Sequence, residues 1–558
     1  MSSTDDSLAR HQYLLDHALE AIRTRAYYSA YPESPSPRYY GDNAAAEGKA
    51  AYEALLDTDL PLHVPGSEAL VQDEVSPFGF ALNVRYPQVT EDDLDELLSA
   101  AQAGIPAWRD AGAEVRVDVC LTVLDRLHRR VFELANAVRA VTGQGFVMAF
   151  QGMTHALDRA LEAIAYAYVE MTRHPSVASW VKPAREGALR VEKTFTVVPR
   201  GVALVVGCST FPTWNGYPGL FASLVTGNAV VVKPHPQAVL PLAITVQVCQ
   251  EVLASLGYDP ALVTLAAEHA GDDLAKDLAT RPEVRIVDYT GSTEFGLWLE
   301  EHARQARVYT EKSGVNGVVV DSTSSFAGMC ANLAFTISLY SGQMCTSAQN
   351  LYVPSDGIDT DEGHKSFEDV IASLAAALDT LLGDDARAAE VLGALVNEAV
   401  INRVELVQEY GEVALESRSI AHPEFPDAVV RTPALVVLEG EDLDAFSREV
   451  FGPVVFVVRT SSSLESAELV RKVGMSVGSM TAGVYSTSPE VLASVRSAAL
   501  DAGVALSENP TGTLYLNQAA AFSDYHGTGA NPAANASFTD GAFVAGRFHV
   551  VQSRRPVS

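Results

Sequence analysis

Two short runs decide the fold: Val202-Ala203-Leu204-Val205-Val206 and, further on, Thr226-Gly227-Asn228 leading into Ala229-Val230-Val231-Val232-Lys233. Both are apolar and rich in β-branched residues, and neither shows the alternation of a strand with one wet face. The residues between them, around Leu220–Thr226, read as a helix, so the pair forms a β-α-β crossover in a parallel sheet. The alternation continues through helix Leu242–Leu256, strand Val263–Ala266, a helix near Leu274, strand Arg285–Tyr289, helix Thr293–Arg304 and strand Val308–Glu311. In open parallel sheets ligands gather at the carboxyl ends of the strands. The loops after Val206, Lys233 and Tyr289 are therefore where a site is expected.

A second alternating unit begins near Val318, with strands around Leu351–Val353, Ala434–Leu438, Val454–Val458 and Thr481–Tyr485 and helices Leu464–Val473 and Pro489–Leu500. Upstream of the first unit, Leu121, Leu124, Leu127, Val131, Leu134, Val138 and Val141 recur every three or four residues, which predicts one long helix ended by Gly143. That stripe is read as core packing. The first 60 residues look like an appendage. Asp5 or Asp6 is placed to cap a helix carrying Leu8, Leu15, Leu19 and Ile22, followed by the turn-rich Pro32–Pro37. The tail from Asn517 is rich in Gly, Asn and Ala and closes on the strand-like His549–Gln552.

The chain has 558 residues, 48% of them apolar, and 39 basic against 70 acidic residues leave a net charge of −31. This composition supports several packed units and excludes wholesale disorder. The negative surface argues against nucleic acid and against anionic membranes as partners. No apolar run approaches the ~18 residues needed to cross a bilayer. The amino terminus carries no secretory pattern. Five scattered cysteines without a Cys-x-x-Cys pair fit a reducing cytoplasm and offer no metal cage.

Several motifs are near misses. Gly41 and Gly48 are seven apart where a P-loop needs five, and Ala50 follows Lys49. Gly474-Met475-Ser476-Val477-Gly478 matches a nucleophile elbow, but here the helix precedes the serine and the strand follows, the reverse of what the elbow requires. The informative cluster is Ser341-Gly342-Gln343-Met344-Cys345-Thr346-Ser347, a cysteine among small polar residues at the end of an apolar helical stretch. Backbone amides there are free to stabilise a thiolate or an oxyanion. Glu311, at a strand end 34 residues upstream, is a plausible base.

Tyr289-Thr290-Gly291-Ser292-Thr293-Glu294-Phe295-Gly296, Glu311, Gly342-Gln343-x-Cys345 and Glu449-Val450-Phe451-Gly452-Pro453 occur in that order. With Thr226-Gly227-Asn228-Ala229 and Lys233-Pro234 they resemble the aldehyde dehydrogenase superfamily from about Leu97 onward. Tyr31–Pro37, the loop Cys208–Asn215 and the tail Phe522–Asn531 are similar, more narrowly, to its phenylacetic acid degradation (PaaN) group.

The resemblance implies an α/β, aldehyde-dehydrogenase-like fold: a Rossmann-type cofactor domain, an α/β catalytic domain and a small oligomerisation β-element. The expected plan is an N-terminal extension (1–65), a dinucleotide-binding domain (66–313, with 182–200 in an oligomerisation hairpin), a catalytic domain (314–516) and an oligomerisation tail (517–558). Cys345 would attack an aldehyde to give a thiohemiacetal and then a thioester. Glu311, with its pKa raised by burial, would activate the thiol or the deacylating water. Gly291, Ser292 and Gly296 would receive the pyrophosphate at a helix start. Lys233 and His235 would face the adenosine ribose, and Glu449 and Phe451 the nicotinamide end.

Three departures qualify this. Thr210 stands at the oxyanion asparagine position, with Asn215 nearby. Pro236 replaces the acid that repels a 2′-phosphate, so NADP is expected to be preferred over NAD. Lys312-Ser313-Gly314 replaces a glycine pair. The implied substrate is a semialdehyde, carried as a CoA thioester, from aromatic degradation, and the implied assembly is a homodimer or a dimer of dimers. A CoA-acylating dehydrogenase and a non-catalytic binder of cofactor or CoA ligands are the alternatives.

Overall fold

The computed structural model describes residues 2–185 and 187–557, with side chains from residue 10 onward. Helix α1 (Ser2–Thr24) is followed, after two short helices (Pro37–Tyr40 and Ala44–Glu53) and a short strand pair, by α2 (Leu94–Asp110), α3 (Ala113–Arg129), α4 (Val131–Thr142) and α5 (Phe146–Thr172). A hairpin, β1 (Val177–Pro183) and β2 (Ala188–Pro199), leads into β3 (Val202–Val206), α6 (Pro212–Val225), β4 (Ala229–Lys233), α7 (Leu240–Ser255) and β5 (Val263–Leu265). Helix α8 (Leu274–Thr280), β6 (Val284–Thr290), α9 (Thr293–His302) and β7 (Arg307–Glu311) complete the first unit. Its five strands are parallel in the order β5-β4-β3-β6-β7. Val206 lies opposite both Lys233 and Tyr289, and Thr290 lies opposite Glu311. This register gathers the expected site residues along one edge.

The second unit runs from β8 (Asn316–Val320) through α10 (Phe326–Ser338), β9 (Ala348–Pro354), β10 (Glu412–Leu415), β11 (Ala434–Glu439) and β12 (Val454–Thr460). It continues with α11 (Ser463–Ser476), β13 (Thr481–Tyr485), α12 (Pro489–Ala502) and β14 (Ala505–Glu508). These strands form a seven-stranded sheet in the order β10-β11-β12-β9-β8-β13-β14, antiparallel only at β10-β11. The tail returns as β15 (Phe548–Pro556), antiparallel to β2, and gives a separate sheet β15-β2-β1.

The parallel units follow the sequence reading; other expectations change. The long helix is two, α3 and α4, broken at Arg130, where φ −101° and ψ 16° leave the helical region. Gly143 ends α4 at φ 73°, as read. Helix α1 starts at Ser2, so Asp5 and Asp6 lie inside it and do not cap it, and their side chains and that of Leu8 lie outside the described ones.

The first 60 residues are not an appendage. Leu15 and Ala18 join the main core, Tyr31 is 1% exposed, and Ser29 Oγ and the Ala30 amide donate to the buried Asp158 of α5. The tail, expected as an oligomerisation element, packs into the chain's own core. Arg547, wholly buried, forms two hydrogen bonds with Asp288 of β6, at 2.7 and 2.6 Å, and Lys312 and Asn535 tie residues 533–535 to β7. Its course carries residues 526–535 back over the site.

Candidate active site

After α10 the backbone turns sharply: Tyr340, Ser341 and Gly342 take φ of 50°, 51° and 67°. Two non-glycine residues in the left-handed region cost about 1–3 kcal/mol each, so neighbours must over-determine the turn. Tyr340 Oη donates to the Thr142 carbonyl at 2.5 Å, Ser341 Oγ to that of Leu392 at 3.0 Å, and Gln343 bridges Ala394 and Val396. Gly342 is required here because a Cβ would overlap the carbonyl of Gly452. The result presents Cys345, half-buried, towards the end of β7 in the other unit.

There the Cys345 sulfur, a Glu311 carboxylate oxygen and a nitrogen of His526 all lie within 4.8 Å of one another. The Asn215 amide, from the start of α6, donates to Glu311 Oε2 at 3.0 Å. Burial pushes the Glu311 carboxyl up, but His526, Cys345 and Asn215 together outweigh it and hold the group below its ordinary value. This corrects the expectation that burial alone would raise it. Burial, with the Glu311 charge beside it, drives the Cys345 thiol well above its ordinary range. At rest it is a thiol, so a base must act before the sulfur attacks.

Thr210 sits half-buried just before α6. Its carbonyl accepts from Gln144 at 2.9 Å, while its amide and hydroxyl face the Cys208 thiol, which burial pushes up to about 11. Asn215, the other candidate oxyanion donor, is directed at Glu311.

Along the cofactor edge, Lys233 is 4% exposed and ion-paired with Glu268, an acid at the end of β5 that the sequence reading overlooked. Burial, and then the Lys233 charge, press His235 down to about 4, so it adds no positive charge at neutral pH. Ser292 caps α9 through the Phe295 amide at 3.3 Å. The Gly291 amide is not free as expected: it donates to the Glu311 carbonyl at 3.0 Å and extends the β6-β7 ladder. The first turn of α9 still offers Thr293 and Glu294 amides at a positive helix end. A cleft between α8 and α9 opens beside them, with Phe295 and Trp298 on one side and Asp272, Asp273 and Lys276 on the other. Gly296 lets the Lys312 side chain lie flat on α9, where Lys312 pairs with Glu300 at 2.7 Å. Glu449 turns its carboxylate to the Gly314 amide at 3.3 Å, and the Phe451 carbonyl accepts from Arg403.

A nicotinamide dinucleotide fits this donor set: a buried Lys–Glu pair for ribose hydroxyls, a helix start for phosphates, and an aromatic-lined slot for a base. Ser476, of the near-miss elbow, closes α11 with its hydroxyl bonded to the Lys472 carbonyl. His526 and Glu268 are the residues that motif reading missed. One lies in a loop remote in sequence, and the other looks like an ordinary acid after a strand.

A sequence profile of the aldehyde dehydrogenase family matches residues 64–526. The fold superposes on an NAD-dependent aldehyde dehydrogenase from Burkholderia multivorans with a TM-score of 0.96 and 50% identity, covering 99% of both chains. A 1-pyrroline-5-carboxylate dehydrogenase from Thermus thermophilus shares the fold at a TM-score of 0.77 and 20% identity, covering 95% of this chain and 99% of its own. A 1-pyrroline-5-carboxylate dehydrogenase of Bacillus cereus is 23% identical over 426 residues, 74% of this chain and 78% of its own length.

Proposed function

The chain belongs to the aldehyde dehydrogenase family, and from that premise we propose that it oxidises an open-chain aldehyde to the acid through Cys345, with NAD as the hydride acceptor. The observation that carries this reading is the convergence of Cys345 from one unit and Glu311 from the other beside the cofactor edge. Cys345 forms the bond to the carbonyl carbon, and the aldehyde hydrogen leaves as hydride. The acyl group stays on sulfur as a thioester until water releases it. Glu311, held anionic by its donors, is the base for that water. Thr210, at the sequence position of the family's oxyanion asparagine, and the amide of Cys345 would be the donors to the developing oxyanion. The dinucleotide, when bound, supplies the hydride acceptor.

The sequence reading put NADP first; NAD is favoured here. Lys233 is neutralised by Glu268, His235 is uncharged at neutral pH, and the Glu268 carboxylate would repel a 2′-phosphate. The Burkholderia relative's designation as NAD-dependent supports the same choice. Retention of Glu311 supports release by water over release by CoA, and the assembled Cys345–Glu311 pair argues against a pure binder. For the substrate, the loop and tail stretches similar to the phenylacetic acid degradation group support a semialdehyde, carried as a CoA thioester. The sheet β15-β2-β1 exposes apolar side chains on both faces, Val177, Val181 and Val551 on one and Trp180 and Val550 on the other, which supports a homodimer or dimer of dimers. Five free cysteines support a reducing cytoplasm.

The test is a panel of aldehydes, CoA-linked semialdehydes among them, followed at the nicotinamide absorbance with wild type and Cys345→Ala. Turnover in the wild type and none in the variant is expected, with dinucleotide binding retained in both. Equal turnover in the two would reject the reading.

A further inference from the structure

His526 is the one buried imidazole in contact with both reacting side chains, and the mechanism above gives it no task. It is 5% exposed, and its ring stands edge-on to Trp214 of α6 with centroids 4.4 Å apart. Nε2 lies 3.8 Å from Cys345 Sγ, which is placed to donate to it, and 3.0 Å from Glu311 Oε1, which finds no aligned hydrogen-bond donor. Nδ1 has no partner among the described residues. Charged groups near the cluster include Glu449, on the Cys345 side, and Arg159 of α5, stacked over the Trp214 ring.

We propose that His526 takes the thiol proton of Cys345 before the sulfur attacks, leaving Glu311 as the base for the later water. This inference rests on Cys345 being the nucleophile. In the step, the S–H bond breaks and an N–H bond forms at Nε2, giving a thiolate and an imidazolium with no change of oxidation state. The thiolate pair then forms the C–S bond as the carbonyl π pair moves to oxygen. The imidazolium later loses its proton to solvent.

The physical reason for a histidine is charge. A thiolate formed by losing its proton to solvent, beside the Glu311 carboxylate, would place two anions in contact in a poorly solvated pocket. An imidazolium between them turns that repulsion into two attractions. Glu311, held below its ordinary value, is also a weak base for a thiol pushed high by burial.

The test is alkylation of Cys345 by iodoacetamide without substrate, followed at that residue by mass spectrometry from pH 5 to 10. In the wild type the thiol is expected to react readily at pH 7, well below the range in which an isolated thiol ionises. His526→Gln should move the rise to higher pH and slow the reaction at pH 7 by ~100-fold. A wild-type rate that rises only above about pH 9, or a profile that His526→Gln leaves unmoved, overturns the proposal. If the variant does not fold, the wild-type profile decides alone. A profile that His526→Gln moves, in a protein that oxidises no aldehyde, would reject the proposed function while leaving the Cys345–His526 proton transfer standing.

Discussion

Asn316, the first residue of β8, donates to the carbonyl oxygen of Cys345 at 2.8 Å. The same amide nitrogen reaches the Ser347 carbonyl at 2.9 Å, and Oδ1 accepts from the Met480 and Thr481 amides at 2.9 and 3.0 Å. One wholly buried side chain thus fastens the nucleophile loop to the start of β13. Asn316→Ala strands four buried backbone groups. At about 1 kcal/mol per net hydrogen bond the variant is expected to lose about 4 kcal/mol of stability. It should also lose tenfold or more in kcat, because small displacements of a nucleophile are costly. Thermal melting and steady-state kinetics check both. An unchanged kcat would mean that Cys345 does not depend on this anchor.

Glu311 should reveal its task through the order of events. Glu311→Gln keeps the shape and the contact with Asn215 but cannot take a proton from water. Rapid mixing with aldehyde and dinucleotide is expected to give a burst of reduced cofactor close to one per site. Steady turnover should then be slowed by about 100-fold or more. If the burst slows as much as the steady rate, Glu311 acts on the thiol, and its assignment to the deacylating water fails.

What the sequence made legible was what local chemistry encodes. The β-branched runs Val202–Val206 and Ala229–Lys233 are strands with the boundaries read from them, because a sheet covered on both faces admits little else. The break at Arg130 was hidden because Leu127, Val131 and Leu134 keep a helical period straight through it. Cys345 and Glu311 were legible through the residues flanking them. His526 was not, since it lies 181 residues after Cys345 on an irregular segment whose path is set by tertiary contacts. Glu268 was hidden for a similar reason: only the register of β4 on β5 brings it to Lys233.

That pair gives a prediction on cofactor choice. Like charges about 4 Å apart repel by several kcal/mol near a protein surface before screening. Even about 1.4 kcal/mol of this is tenfold in binding. Glu268→Gln is therefore expected to improve the binding of NADP relative to NAD by ~10-fold or more. The readout is fluorescence titration of each dinucleotide, which needs no turnover. An unchanged ratio would show that Glu268 does not face the 2′ position.

The last prediction concerns pH and an acid outside the catalytic cluster. Glu74 is 1% exposed; its Oε1 accepts from the Val239 and Leu240 amides at the start of α7, and its Oε2 accepts from Tyr86 at 2.7 Å. A helix start favours an anion, yet burial wins and pushes the carboxyl up to about 7. Between its ordinary value of 4.5 and about 7 the folded chain holds a proton that the unfolded chain has released. Stability from this group is therefore greatest below pH 4.5 and falls as pH rises towards 7. At about 1.4 kcal/mol per pH unit the decline is about 3 kcal/mol. Glu74→Gln keeps an acceptor for the two amides, lets Tyr86 turn to accept, and cannot titrate. The gap between denaturation midpoints at acidic and mildly alkaline pH should accordingly shrink in the variant. Asp158, also pushed up to about 7 by burial, still contributes a slope of the same sign in both proteins. A variant whose stability falls with pH as steeply as the wild type would show that Glu74 is already ionised in the folded chain, with the α7 amides outweighing its burial.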